Sequence, residues 1–385
     1  MPEQNTRVRA AMYTIGTSVP RSSYTQDQAL SFMKSVPGYN ETDRAFLDRI
    51  YPSSAIGTRH SVIEDWEREP ADFTFFSQTE DMLPEPTLRQ RNDIFASEAH
   101  RIATEAAQNA FGECPGVGPS DITHVITVSC TGFTAPGLDY QVIRALDLNP
   151  KVDRFHLGFM GCFAAYPALK MADSFVRSDP NARVLVICLE LCSLHFQFKQ
   201  DRETMVANSL FADGAAAAIV GAADRDDDPG TGYRMDGFAS ELLDDSQSAM
   251  AWTIGDVAFD MKLSVYVPKI VQKNIAAIVD RLSASVERTR DDINAWAVHP
   301  GGRAVLERVC RGLDLNEEDL WASFDVLHDY GNMSSPTILF VLKHLLEDDS
   351  RGVATGSSVF SAAFGPGLTV ESAFLTARKP AHRRP

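Results

Sequence analysis

The chain has 385 residues, 44% of them apolar and 23% charged, and a net charge of −16 at pH 7. That length allows about two domains, or one domain built of two similar halves. The acidic balance argues against nucleic acid or an anionic membrane as a partner. The longest run of small apolar residues, Gly214 to Ala223, is far short of the roughly 20 residues a spanning helix needs, so no membrane insertion is predicted.

The start, MPEQNTRVRAAMY, has no apolar core of a secretory signal, which predicts a cytoplasmic protein. Cys114, Cys130, Cys162, Cys188, Cys192 and Cys310 include no pair at CxxC spacing. Neither a disulfide framework nor a zinc site is predicted, and one reactive Cys among inert ones fits better. The basic tail, Arg378 to Arg384, reads as a solvated end.

In chain order, Arg7 to Ser18 reads as a strand and Gln26 to Met33 as a short helix. Residues 38–92 read as polar and irregular. Ile94 to Phe111 has the 3.6-residue period of an amphipathic helix. His124 to Ser129 reads as a buried strand running into a small-residue loop, Cys130 to Gly137, and Gln141 to Leu146 as helical. An apolar run ends in GFMGC, and a helix-like run, Ala164 to Val176, follows. Ala182 to Glu190 and Ala215 to Gly221 are two more buried strands. DRDDDPGTG, Asp224 to Gly232, is the best boundary between halves. Beyond it, Val267 to Leu282 is a helix pattern, Ile293 to Val298 a strand, Ala304 to Cys310 a helix and Thr337 to Leu346 an apolar helix. Val359 to Ala363 and Leu368 to Ala373 read as strands joined by FGPG. Buried strands alternating with helices predict an α/β fold with helices covering the sheet faces. The strand–Gly turn–helix unit occurs at Cys162 and again at His299, which predicts duplicated halves whose equivalent ends meet in one site.

Strand, tight turn, Cys, helix is a way to present a thiol where backbone N–H groups and the helix dipole favour the thiolate. A buried structural Cys is the competing reading. His299, ahead of Gly301 and Gly302, reads equally well as a hydrogen-bonded core residue, and Asn332 as a helix cap. As a set the three make chemical sense. An imidazole can hold the thiol as thiolate. Decarboxylating a malonyl thioester makes an enolate, whose negative oxygen needs neutral donors, and a His and an Asn amide supply two.

GFMGCFAA, AVHPGG, YGNMSS and AFGPGLTVE, in this order and spacing, resemble the chalcone synthase superfamily, the type III polyketide synthases of the thiolase fold. The resemblance covers roughly residues 7–376. It implies a duplicated αβαβα layered fold, with residues 1–225 carrying the nucleophile and 226–385 carrying the His and Asn. It implies Cys162 as nucleophile, and His299 and Asn332 as the pair that decarboxylates and condenses. Phe211, in LFADGAAA, matches the family's gatekeeper; Phe259, in GDVAF, matches a second; Gly365, Pro366 and Gly367 match a loop that shapes the cavity wall. Arg59 lies where the family places part of its basic CoA entrance, and Arg303, just past the Gly pair, could face the same tunnel. Substrates would be acyl-CoA and malonyl-CoA, handled by a homodimer with no metal, flavin or nicotinamide.

Ala135 stands where plant relatives usually carry a methionine that reaches across the dimer, and Cys130, Cys192 and His195 stand at cavity positions that are often threonines. These differences resemble bacterial members and put flavonoid products in doubt. Small wall residues, Ala135, Cys130, Cys192 and Ala212, predict room for a fatty acyl starter and an alkylpyrone or alkylresorcinol product after two or three malonyl extensions. Cys130 also fits malonyl-primed relatives that make tetrahydroxynaphthalene or phloroglucinol. Two further rivals are an initiating ketoacyl synthase acting on acyl-carrier protein and a non-catalytic binder of CoA thioesters.

Overall fold

A computed structural model of the chain describes residues 8–225, 228–244, 246 and 249–379. In order, the elements are β1 (Ala10–Ser18), β2 (Ser23–Thr25), α1 (Gln26–Ser35), α2 (Glu41–Ile50), β3 (Thr58–His60), α3 (Leu88–Gly112), β4 (His124–Ser129), α4 (Leu138–Ala145), β5 (Asp153–Gly158) and α5 (Ala165–Ser178). Then come β6 (Val184–Leu191), α6 (Arg202–Leu210), β7 (Asp213–Ala222), β8 (Gly232–Leu242), β9 (Met250–Ile254), β10 (Phe259–Leu263), α7 (Val267–Ser285) and β11 (Ala295–Val298). The chain closes with α8 (Arg303–Leu313), α9 (Trp321–Tyr330), α10 (Thr337–Glu347), β12 (Ser358–Gly365) and β13 (Thr369–Arg378).

Nine strands form one sheet in the order β11-β12-β13-β8-β1-β7-β6-β4-β5. The join between β1 and β8 is short, two residue pairs at Ala11–Arg234 and Met12–Tyr233. The sheet therefore reads as two runs laid edge to edge. In β7 the side chains alternate between two cores: Ala215, Ala217 and Ile219 pack towards α3, and Ala216, Ala218 and Val220 towards α5 and α10. Alanine favours helix, but burial on both faces holds this run in the sheet. Its small side chains, with Gly16 next door, let α3 lie close. A Cβ at Gly16 would come within 2.2 Å of the Ala110 backbone nitrogen.

Helices α5 and α10 fill the central core between the two runs, α3 covers the outer face of the first run, and α7 and α8 cover that of the second. The result is the αβαβα layering of a thiolase-like α/β fold. The repeat is paired differently from the sequence expectation. By strand order β11 stands where β4 stands, and α10 leads into β12 as α5 leads into β6. The counterpart of Cys162, ahead of α5, is therefore Asn332, ahead of α10. The counterpart of His299, at the end of β11, is Cys130, at the end of β4. The extra strand β5 has no equivalent in the second half, and it hid this pairing. It forms an exposed edge: Phe155 on it, and Phe133 and Tyr140 nearby in the chain fold, are solvent-facing.

The stretch 38–92 is less irregular than its polarity implies, since it holds α2, β3 and the start of α3. β8, α9 and the β9–β10 hairpin were also not read as elements. Arg7 and residues 226–227 and 380–385, which belong to the predicted first strand, the boundary and the basic tail, lie outside the described residues. Arg378 is no solvated end, because it pairs with Asp228. Among the described residues no helix is long and apolar enough to cross a membrane.

Candidate active site

Between β5 and α5 the chain turns through two left-handed residues, Phe159 (φ 58°) and Gly161 (φ 82°). A Cβ at Gly161 would meet the Pro366 ring at 2.5 Å, so only glycine lets the FGPG turn sit against this loop. A non-glycine residue such as Phe159 in this region is strained, and such strain gathers at functional sites. The turn sets Cys162 at the head of α5, buried at 7% exposure. The Ser334 and Asn332 side chains act to lower the thiol, but burial outweighs them and pushes it up to about 11.

His299 ends β11, its N–H bonded to the Ala362 carbonyl of β12 at 2.8 Å. Its ring is 1% exposed, and neither ring nitrogen has a hydrogen-bond partner among the described residues. Burial pushes the imidazole down to about 3. An orphaned buried imidazole is costly unless something else satisfies it.

Asn332 follows Gly331 (φ 70°) and is pinned through its backbone: its N–H donates to the Leu210 carbonyl, and the Ala212 N–H donates to its own carbonyl, both at 2.9 Å. Its side-chain oxygen accepts from the Ser334 N–H at 2.8 Å, and its NH₂ reaches the Gly301 carbonyl at 3.3 Å. The amide is thus oriented with its donors on the His299 side, and it does not cap α10, which carries no side-chain cap. Ser334 holds this arrangement in a left-handed conformation of its own (φ 60°).

Cys162, His299, Asn332 and Ser334 all line one cavity of about 770 Å³. Phe211, Phe259, Cys130, Cys192, His195 and Pro366 line it too. Residues 2–224 match the N-terminal domain, and residues 235–378 the C-terminal domain, of the chalcone and stilbene synthases. The chain belongs to this family, the type III polyketide synthases. It is 31% identical over 370 residues to the alpha-pyrone synthesis polyketide synthase-like Pks18 of Mycobacterium tuberculosis, covering 94% of this chain and 90% of the relative. PKS-I from the brown alga Ectocarpus siliculosus superposes with a TM-score of 0.90 at 31% identity, over 97% of this chain and all of the other. The 1,3,6,8-tetrahydroxynaphthalene synthase of Streptomyces coelicolor A3(2) superposes at 0.84 with 25% identity, over 96% and 99% of the two chains.

Several residues of this synthase lie elsewhere than the sequence predicted. Ala135 is exposed and does not line this chain's cavity, and Ala212 is fully buried behind it. Gly365 and Gly367 stand behind the wall, of which Pro366 is the exposed part. A Cβ at Gly365 would strike the Phe163 ring at 2.5 Å, so glycine lets this strand end lie against that ring, next to Cys162. Arg59 lines the cavity, but as a buried residue. It is 2% exposed, and its guanidinium donates to the carbonyls of Asn208 (2.7 Å) and Phe211 (3.0 Å) over the Tyr24 ring. Arg303 lies outside the lining and pairs with Glu307 at 2.7 Å. The exposed basic residues of the lining are Arg49 on α2 and Arg202 on α6, both against Phe46 with guanidinium carbons 5.2 and 4.2 Å from its ring centre.

Glu190, at the end of β6, went unread. It is fully buried, with one oxygen accepting from the Cys130 N–H (2.8 Å) and the Thr131 hydroxyl (2.8 Å) and the other from the Ser335 hydroxyl (2.8 Å). It ties the loop of Cys130 to the segment of Asn332. Burial pushes its carboxyl up to about 7 against these bonds. A folded value above the unfolded one means the stabilisation is complete below pH ~4.5 and is lost as pH rises through about 7. Glu190→Gln, which cannot ionise, should therefore gain on the wild type by about 2 kcal/mol between pH 5 and 8. Urea unfolding at the two pH values checks this; an equal difference at both would refute the ionisation argument.

Proposed function

We propose that the synthase loads an acyl-CoA starter on Cys162 and extends it with malonyl-CoA by repeated decarboxylating condensation, followed by ring closure. The observation that carries this is the placement of a thiol, an unpartnered imidazole and an oriented amide in one largely apolar cavity. His299 takes the Cys162 proton, the sulfur attacks the thioester carbonyl, and the CoA thiolate leaves with that proton. Malonyl-CoA then loses CO₂; the electron pair of the broken bond becomes an enolate, whose oxygen rests on donors from His299 and Asn332. Its carbon attacks the Cys162 thioester and expels the sulfur as thiolate, which lengthens the chain by two carbons on CoA; that thiolate takes the new acyl-CoA for the next round, and the CoA thiolate released picks up a proton from water. These steps balance with CoA thioesters alone and call for no metal or redox cofactor.

Phe211 and Phe259 act as gates between the CoA tunnel and the cavity, and Arg49 with Arg202 meet the CoA phosphates. The exposed edge β5, with Phe155, Phe133 and Tyr140, supports a homodimer joined there. Family models that stop at residue 224 and restart at 235 support halves of 1–225 and 226–385. For the product we favour an alkylpyrone or alkylresorcinol from a medium- or long-chain acyl-CoA with two or three extensions. Support comes from the alpha-pyrone relative and from an apolar cavity in which each buried CH₂ contributes roughly 0.8 kcal/mol. Of the small residues, Cys130 and Cys192 line the cavity and the two alanines do not. A series of starters from acetyl- to long-chain acyl-CoA with malonyl-CoA, read by product mass, tests this. Turnover should rise with chain length. If malonyl-CoA alone turns over best and long acyl-CoAs only inhibit, the malonyl-primed reading replaces it; if malonyl-CoA releases no CO₂, the chain is a binder.

A further inference from the structure

His195 stands where the family's cavity wall is expected, yet its ring is spent on something else. It lies in the single turn between β6 and α6, buried, with both nitrogens engaged. Nε2 is 2.8 Å from the Thr131 carbonyl, which can only accept, so Nε2 carries the proton. Nδ1 is then a bare acceptor, and the Phe259 backbone N–H donates to it at 3.0 Å. The ring lies flat on that of Phe259, with centres 4.2 Å apart and planes 10° apart, and edge-on to Trp252 at 5.3 Å. Burial pushes the imidazole down to about 3, so this neutral form persists across the physiological range.

Phe259 opens β10, whose only sheet partner among the described residues is β9. A lone two-stranded hairpin is marginal, so its position depends on what pins it. Three alternate residues of one segment do the pinning. His195 takes the Phe259 N–H, Gln197 donates to the Phe259 carbonyl (3.2 Å) and to Asp260 (3.1 Å), and Lys199 pairs with Asp260. The Lys199 pair is solvent-exposed and weak. From the hairpin's side, the Trp252 indole N–H donates to the Cys130 carbonyl at 2.9 Å. Two buried bonds are placed at the gate residue itself, the one to the His195 ring and the one from Gln197, and of these the His195 bond is the shorter.

We propose that His195 is a positioning residue: it latches the backbone of Phe259 and thereby sets how long an acyl chain the cavity accepts. This rests on the synthase reading only in its second half. With the latch gone, the Phe259 ring is free to swing from the wall formed by Thr131, Cys130 and Trp252, and longer chains gain room there.

Three variants separate the latch from the bulk of the ring. Asparagine sets its amide oxygen where Nδ1 stands and keeps an acceptor for the Phe259 N–H. Phenylalanine keeps ring and stack but accepts nothing. Alanine loses both. Hydrogen–deuterium exchange of the segment 255–263 reads the latch without any need for activity. Its protection should fall about tenfold in His195→Phe and His195→Ala, the scale of one lost buried hydrogen bond, and hold in His195→Asn. In the starter series, the longest acyl-CoA turned over should lengthen in His195→Phe and His195→Ala, through a lower KM for long starters and not a higher kcat. Wild-type protection in His195→Phe overturns the latch. So does a length limit that follows ring volume, with His195→Phe behaving as wild type and only His195→Ala shifted. Should the wild type release no CO₂ from malonyl-CoA, the synthase reading fails, and the exchange data still decide the latch.

Discussion

Replacing Cys162 by alanine is expected to cut polyketide formation by about 10⁵- to 10⁶-fold, the scale seen when a covalent nucleophile is removed, and to abolish the acyl adduct on the protein. The reason is finer than a helix N-terminus that exposes a thiolate. The site is dry. Burial alone holds the thiol protonated, at about 11, and the imidazole neutral, at about 3. Neither ion is stable alone, but moving the proton from Cys162 to His299 makes both at once, and their attraction in a low-dielectric cavity offsets part of the desolvation. The Ser334 and Asn332 side chains act to lower the thiol. Cys130 and Cys192 line the same cavity, but burial holds both thiols well above their ordinary value, and the Gly161 N–H that donates to Cys130 at 3.1 Å does not offset it. Iodoacetamide at neutral pH should therefore modify Cys162 well ahead of the other five, and His299→Ala should remove that lead. An acyl adduct that survives Cys162→Ala, seen by intact mass, or even labelling of all six thiols, would sink the assignment.

The parts of the fold that the sequence made legible are those where one physical signal dominates. β4, β6, β7 and the β12–β13 hairpin are apolar runs closed by glycine or charge, and they lie where expected within about two residues at most ends. α2 escaped because its buried face is almost nothing, only Asp43 and Leu47, so it lacks an apolar stripe, although Asn40 and Asp43 form a capping box. Missing α2 meant missing Arg49. Arg59 is placed at the CoA entrance by the family resemblance alone. Its burial depends on Tyr24, Tyr51 and carbonyls 149 and 152 residues away, which no local pattern shows. Glu190 is the same case: its partners come from two segments about 60 and 145 residues away. Cys162, His299 and Asn332 were legible because glycine-flanked turns announce each of them, and the structure does bring all three to one cavity. Which halves correspond was not legible, since β5 intervenes between β4 and the Cys162 turn.

Asn332 should show the second-largest effect, and its two substitutions are not equivalent. Asn332→Ala removes one donor to the enolate oxygen, and CO₂ release from malonyl-CoA should fall by about 10²- to 10³-fold. Asn332→Asp keeps an oxygen for the Ser334 N–H, so the local turn survives, but it replaces the NH₂ with a second oxygen. An ionised carboxylate there faces the developing negative charge and should slow decarboxylation further than alanine does. Starter loading should respond differently. Ser334 still acts to lower the thiol and His299 still takes its proton, so the acyl adduct on Cys162 should form in both variants. His299→Ala should lose loading and decarboxylation together, because one imidazole serves both. Radiolabelled malonyl-CoA measures the first activity and intact mass the second. Should Asn332→Asp decarboxylate as fast as the wild type, the enolate does not rest on this amide. Should Asn332→Ala block loading as severely as His299→Ala, Asn332 governs the thiol, and the division of roles between the two residues falls.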